Sequence, residues 1–325
     1  FHHTDAATST GTVLTTSPVA IDLKADPGTQ TSTNLQVQNN STKTLTIKVK
    51  LKEFKANGDS GQAQIFDPPA NDPSIAWVTF SRTEFSADPG VWNSVKMTIN
   101  LPSTAAYGYY YAVEFVPQST VQTSRNKVKG ANAIFVLLNA HTNDEKNTLV
   151  VKSFSADKSL YQYLPANFSL KVNNAGNIYT APEGTIFISR SLHGSPIATL
   201  DINPGAGNVL PDTNRVFHAS WNDGFPVYQY KRIDGQVVSG KDGKPVQTLH
   251  WSGNVSKFRF GKYYARLVLV YKNGAQDVPV NAEVSFWVIP WFMILILVVI
   301  LILVGFGIWA LLKDSKKVYR WFGKK

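Results

Sequence analysis

Chemistry in this chain would have to come from histidine, carboxylate, asparagine or aromatic side chains, because its 325 residues include no cysteine. That absence excludes thiolate nucleophiles, thiolate zinc sites and disulfide scaffolds. The histidines are His2, His3, His141, His193, His218 and His250. None stands at the HxxxH or HExxH spacing that places two imidazoles on one helix face, so a metal site would need long-range convergence. Hydrogen-bonded or exposed imidazoles are the simpler expectation. Asn57-Gly58-Asp59-Ser60-Gly61 and Asp201-Ile202-Asn203-Pro204-Gly205 are rich in oxygen ligands. Both lack the spaced acids and closing glutamate of a calcium loop, and both read as tight turns. No Gly-x-Ser-x-Gly elbow occurs, the acids form no obvious pair for glycoside cleavage, and nothing draws Ser, His and Asp into a triad. The chain reads as a non-enzyme with no cofactor and no metal.

The aromatics carry more information. Tyr107, Tyr109, Tyr110 and Tyr111 crowd one segment. On a strand, Tyr109, Tyr111, Val113 and Phe115 would share one face, and Tyr110, Ala112, Glu114 and Val116 the other. Most of this is expected in a core, with one tyrosine in a corner role. Trp92, polar-flanked and just after Asp88-Pro89-Gly90, is the ring best placed to stack on a sugar or anchor a partner. Tyr107, Tyr109 and Tyr110 are the further binding candidates. Asn39, Asn40, Asn167 and Asn254 begin glycosylation sequons, read here as edge or turn asparagines.

The elements that must position these residues are strands. Leu45–Leu51 alternates Leu45, Ile47, Val49 and Leu51 with Thr46, Lys48 and Lys50, and Val95–Leu101 behaves in the same way. Each predicts a half-buried antiparallel strand. Turn signals at Asp26-Pro27-Gly28, Asn57-Gly58, Asp88-Pro89-Gly90, Asp223-Gly224, Asp234-Gly235, Asp242-Gly243 and Asn273-Gly274 separate such runs at sandwich spacing. The predicted fold is all-β: two immunoglobulin-like β-sandwich domains in tandem plus one C-terminal transmembrane helix. Residues 1–16, rich in Thr, Ser and Ala, read as a flexible arm. The first sandwich is placed at 17–141, a polar linker at 142–148 and the second sandwich at 149–288.

Residues 289–312 read as the membrane span. Trp291 to Leu312 holds no charge and no polar face, and at 1.5 Å per residue it reaches roughly 33 Å. Residues 313–325 form a basic tail in which Lys313, Lys316, Lys317, Arg320, Lys324 and Lys325 face only Asp314, a net +5 against +10 for the whole chain. This bias predicts a cytoplasmic C-terminus and an extracellular N-terminus. Trp287 and Trp291 would mark the outer interface, and Trp309, Tyr319 and Trp321 the inner one. Leu311, Ser315, Val318 and Phe322 fall at helical spacing, which suggests a short helix lying on the inner leaflet. Phe1 in place of Met fits a removed secretion signal. The remaining charge is mild and unclustered, so nucleic acid is not an expected partner.

The first unit resembles the peptidoglycan-binding-like domain of bacterial WxL-interacting surface proteins. The resemblance rests on Ile21-Asp22-Leu23-Lys24, Pro27-Gly28, Asn39-Asn40-Ser41, the Thr44–Lys52 strand, Asp88-Pro89-Gly90, Leu101-Pro102 and Tyr107-Gly108-Tyr109-Tyr110. It implies a membrane-anchored protein with two β-sandwiches, one binding cell wall and the other a partner surface protein. In the second unit, Asn173–Asn177, Asn208–Pro211 and Phe286–Trp291 resemble uncharacterised single-span surface proteins of small-genome bacteria. The expected partners are therefore the lipid bilayer and either a cell-wall polymer or another surface protein. The alternative is a structural subunit of an envelope assembly, such as a pilus base, secretion machine or surface layer, joined by strand addition; a third reading, a glycan-active enzyme, would require a cleft with two carboxylates about 5–10 Å apart.

Overall fold

A computed structural model describes residues 13–118, 132–274 and 276–322, with side chains of the C-terminal helix described as far as Ala310. The first unit contains β1 (Leu14–Ser17), β2 (Ala20–Ala25), β3 (Gln30–Asn39), β4 (Leu45–Asn57), β5 (Gln62–Phe66), β6 (Val78–Phe80), β7 (Glu84–Ala87), β8 (Trp92–Asn100), β9 (Tyr107–Gln118) and β10 (Asn132–Ala140). One sheet is ordered β1-β3-β8-β6 and the other β2-β10-β9-β4-β5, with β7 also pairing β4. The second unit contains β11 (Leu149–Ala156), β12 (Leu160–Tyr161), β13 (Ala166–Asn174), β14 (Glu183–Ser189), β15 (Ala198–Asp201), β16 (Asn214–Trp221), β17 (Val227–Tyr230), β18 (Arg232–Ile233), β19 (Gln236–Val237), β20 (Gln247–His250), β21 (Gly261–Asn273) and β22 (Gln276–Val288). Its main sheets run β11-β13-β16 and β12-β22-β21-β14-β15.

The two units are one plan used twice. In each, the opening segment splits between the sheets: β1 and β11 pair antiparallel with β3 and β13, then β2 and β12 pair parallel with β10 and β22. The alternating runs at residues 45–51 and 95–101 lie in β4 and β8, with Ile47, Val49, Val95, Met97 and Ile99 buried. Both Asp-Pro-Gly tripeptides are turns whose glycines take positive φ, +81° at Gly28 and +74° at Gly90. They feed β3 and β8, and proline followed by glycine is the pair such a turn requires. The plans differ in β6 and β7, which have no counterpart in the main sheets of the second unit, and in one connection. Residues 101–106 join β8 to β9, whereas residues 222–260 join β16 to β21 and carry β17 to β20.

The repeated corners explain why the units fold alike. Asn39 is fully buried, donates from Nδ2 to the carbonyls of Lys43 (2.8 Å) and Ala87 (2.9 Å), and accepts from the Ser41 amide (2.9 Å). Asn174, also fully buried, donates to the carbonyls of Ile178 (2.8 Å) and Val209 (2.9 Å) and accepts from the Gly176 amide (2.9 Å). Each side chain thus ties three backbone groups of a chain reversal together. Tyrosine hydroxyls repeat the device: Tyr109 accepts from the Ala106 amide, Tyr161 from Lys158 and Tyr263 from Phe260, each at 3.2 Å. Tyr109 therefore fills the corner role predicted for one of the clustered tyrosines.

Two expectations need correction. Leu14 to Thr16 do not belong to an arm. They start β1, and Leu14 is fully buried in the first core, which offsets the entropy of ordering the strand; residues 1–12 of the expected arm lie outside the described residues. The basic tail is not a separate surface helix either. One helix, α1, runs unbroken from Trp291 to Phe322, because no proline or glycine follows Gly307 until Gly323 to interrupt the backbone ladder. Pro290 immediately precedes it, and Trp291 to Ala310 is long and apolar enough to cross a membrane.

Candidate functional site

The aromatic candidates do not converge on one site. Trp92 is 45% exposed and Tyr107 38% exposed. Trp92 opens β8 opposite Gln38, while Tyr107 lies beyond the other end of that strand, opposite Ala140 in β10. A strand the length of β8 separates the two ends by about 25 Å. Tyr107 sits at φ +67°, an uncommon conformation for a residue with a side chain. Tyr109 is turned inward, edge-on to Trp77 at 4.9 Å. Tyr110 faces the second unit and is not available for stacking on a ligand; burial drives its hydroxyl pKa far above the ordinary tyrosine value.

Tyr110 belongs to a contact that sequence reasoning did not anticipate. The outer face of β9, β10 and β4 is covered by the second unit. Phe54, Ala112, Leu137 and Leu210 are buried together, with Tyr110, Phe135 and Tyr179 packed against them. Phe54 meets Phe135 edge-on at 4.9 Å and Tyr110 at 5.9 Å. Around this patch, Asp59 receives Lys171 Nζ at 2.5 Å, and the Asp59 carbonyl accepts from the Val216 amide at 2.8 Å. Asn208 donates to Asp22 at 3.4 Å. The Asn57–Gly61 segment is thus a bridge between units as well as a turn. Arg215 completes the joint: its guanidinium passes between Gly61 and Gly207, where an added Cβ would stand 2.5 and 2.4 Å from its atoms, and its Nη1 donates to the Asn208 carbonyl at 2.6 Å. A cleft of about 280 Å³ remains there, lined in part by Phe54, Leu137, Leu210 and Arg215. One sequence signal does mark the joint: Ile134-Phe135-Val136-Leu137-Leu138 is apolar on both faces, as a strand covered on both sides must be.

Titratable groups give one local pair. Glu53 and Asp72 share a hydrogen bond, and Asp72 also accepts from the Ser74 amide at 2.8 Å. Burial, reinforced by the hydrogen bond and charge of Asp72, pushes the Glu53 carboxyl up to about 7. Bonded directly, the two acids share one proton and leave no room for the sugar oxygen or water that glycoside hydrolysis places between them. His141 pairs with Glu145 at 3.0 Å, His218 with Ser169 at 3.1 Å and His250 with Thr248 at 3.0 Å. His2 and His3 lie outside the described residues, and among the described residues no three His, Asp or Glu side chains cluster as metal ligands.

Trp92 itself lies at the end of the first unit away from this joint. Gly90 donates its amide to the Asn39 carbonyl at 2.8 Å, and Gln38 Nε2 donates to the Gly90 carbonyl at 2.7 Å. These bonds hold the turn, so Val91, 51% exposed, and Trp92 project from a fixed base. Trp287 and Trp291 are exposed beside the start of α1, and Trp309 lies 5.5 Å from Phe306 near the end of the apolar stretch. Lys313, Lys316, Lys317, Tyr319, Arg320 and Trp321 lie where helix side chains are outside the described residues.

No family model matches the chain, and no curated protein matches it. Among solved structures, the Class 5 fimbriae chaperone CfaA is similar at TM-score 0.41 and 15% identity, over 84% of this chain and 98% of that one. A chaperone–tip adhesin complex of CFA/I fimbriae biogenesis matches at 0.38 and 18%, over 62% and 86%. The CsuC–CsuE chaperone–tip adhesion subunit complex of Acinetobacter baumannii matches at 0.33 and 12%, over 63% and 89%. Scores this low carry no inference about partner or activity.

Proposed function

We propose that this protein is a membrane-anchored bacterial surface protein whose β-sandwiches bind a cell-wall polymer or a partner surface protein by contact, without catalysis. The observation that carries the reading is the placement of Val91 and Trp92, exposed on a hydrogen-bonded turn at the end of the first unit where Trp92 pairs with Gln38. An exposed tryptophan on a rigid base loses little entropy on binding and stacks readily on sugars or protein anchors. The helix supplies the tether, its lysine-rich end cytoplasmic by charge bias. The resemblance of residues 17–140 to WxL-interacting proteins supports the same assignment.

The test is co-sedimentation of the detergent-solubilised chain with purified cell wall, alongside Trp92→Ala. Retention of the parent chain and loss of the variant supports a wall-binding tip. If neither form sediments but a surface protein is crosslinked at position 92, the partner is that protein. If Trp92→Ala changes neither assay, the tip is not the contact.

A second reading, a subunit of an envelope assembly, is favoured by the open edge at β5. Among the described residues this strand pairs only with β4, and its first three residues are exposed. Such an edge can accept a strand from another chain. A monomer by native mass measurement after gentle extraction would count against it.

A further inference from the structure

The joining segment 222–260, which has no counterpart in the first unit, ends in a loop that is held by polar bonds yet leaves large apolar side chains exposed. Among its polar groups Arg259 turns inward, while Lys257 stays half-exposed. Asp223 binds Arg259 at 3.0 Å and also pairs with Lys257, Arg259 Nε donates to the Asp223 carbonyl at 2.9 Å, and the guanidinium lies 5.5 Å over the buried Trp221 ring. Asn254 caps the turn at 255–257 by accepting from the Ser256 amide at 2.9 Å, and the Phe225 amide donates to the Lys257 carbonyl at 3.0 Å. The apolar groups point out: Trp251 is 55% exposed, Val255 67% and Phe260 50%. A loop pinned by this many polar bonds that still presents large apolar side chains is built to meet an apolar environment.

What that environment is follows from the neighbours. Phe258 and Phe260 line one groove together with Met293, Ile294, Leu297 and Ile300 of α1. Side chains sharing a groove share a solvent, so whatever surrounds Ile300 reaches the phenylalanines. Residues 293–300 cover about 10 Å of helix axis, the depth at which interfacial aromatic residues sit in a leaflet. We propose that residues 251–260 are a second membrane contact, a wedge of Trp251, Val255, Phe258 and Phe260 that enters the leaflet α1 crosses first and fixes the second unit against the lipid. Lys257 sits at the level of the headgroups, where a cation on an aliphatic stem is favoured. This inference rests on α1 spanning the bilayer.

The absence of cysteine in the chain makes the test direct. Val255→Cys, Val91→Cys and Ile302→Cys are each labelled with an environment-sensitive fluorophore in the full chain, reconstituted in phosphatidylcholine vesicles. The label at 255 should shift to the blue and lose about half its emission to lipids spin-labelled near the headgroup, as an interfacial side chain does, while the label at 91 should not respond. A label at 302 protected in lipid beside one at 255 in water would overturn the wedge and leave the span intact. A label at 302 in water would overturn the span reading and the wedge with it. If the label at 255 is shielded only at high protein-to-lipid ratio and lipid quenchers do not reach it, a second copy covers the loop, and the lipid assignment falls.

Discussion

The two sandwiches share their strand plan but dispose of apolar surface in opposite ways. The first unit carries an apolar outer sheet face and hides it: Ala112, Leu137 and Phe54 are covered by Leu210 and Tyr179 of the second. The second unit keeps its apolar surplus exposed and gathers part of it on residues 251–260 beside α1. Duplication of a fold thus does not duplicate its surfaces. The shared core is specified by inward-facing residues, whereas role is set by the outer faces and by what is inserted between strands.

The sharpest way to test the shared plan is to remove its corner asparagines. Asn39→Ala and Asn174→Ala each remove three side-chain bonds to the backbone at a corner, leaving one carbonyl and one amide without the partner they had, while the Lys43 and Val209 carbonyls keep the Ser41 hydroxyl and the Thr180 amide. Each should cost about 3 kcal/mol, since one buried unsatisfied group costs about 1–3. Urea unfolding of the detergent-solubilised chain measures this; a loss under about 1 kcal/mol in either variant would break the equivalence of the units. Next in size is the joint. Gly207→Val must displace the Arg215 guanidinium, whose atoms lie 2.4 Å from the position of its Cβ. Overpacking of this kind costs about 1–3 kcal/mol, and it should separate one unfolding transition into two if the units are coupled there.

Smaller again is a difference in pH response. The folded-state pKa of Glu53 is raised from 4.5 to about 7. Folded protein therefore binds more protons than unfolded protein between those values, so the first unit's stability is fully present below pH 4.5 and falls as pH rises through 7. Because Glu53 is partly solvated, the loss is discounted to about 1 kcal/mol. Thermal unfolding from pH 4.5 to 8 reads it, and Glu53→Gln should flatten the slope. The least effect is expected at the distal tip. Trp92→Ala should leave stability within about 0.5 kcal/mol, because nearly half of the residue is exposed and it stands outside the buried core. A larger loss would move Trp92 from the contact surface into the scaffold.

Much of this architecture is legible in the residues. Strands with one wet face announce themselves by alternation, as β4 and β8 do, and Pro-Gly turns announce the reversals between them. The helix is plain from Trp291 onward. What alternation cannot convey is the partner of a second apolar face: Tyr110 and Ala112 lie on the side of β9 that a lone sandwich would give to water, and only the packing of Leu210 and Tyr179 against them explains their burial. Adjacency in sequence likewise hides that Tyr107, Tyr109 and Tyr110 part company, Tyr107 to an exposed end, Tyr109 to a corner and Tyr110 to the joint. Arg215 was equally hidden, because its role depends on two glycines, Gly61 and Gly207, from separate units.

The link between β22 and α1 has a mechanical consequence. Only Ile289 and Pro290 lie between them, and the Ile289 amide is bonded to the Tyr161 carbonyl at 2.8 Å. Asn147, at the entry to the second unit, is bonded to the Lys272 carbonyl near the far end of the same hairpin. Tension arriving from the first unit and resisted by the bilayer would therefore run lengthwise down β22, which is registered against β21 from Gly261–Val288 to Asn273–Gln276. Ladder bonds lie across the strand direction, so such a pull shears them together instead of peeling them one by one. Under the proposed membrane-anchored reading, a chain wired in this way would resist sudden load.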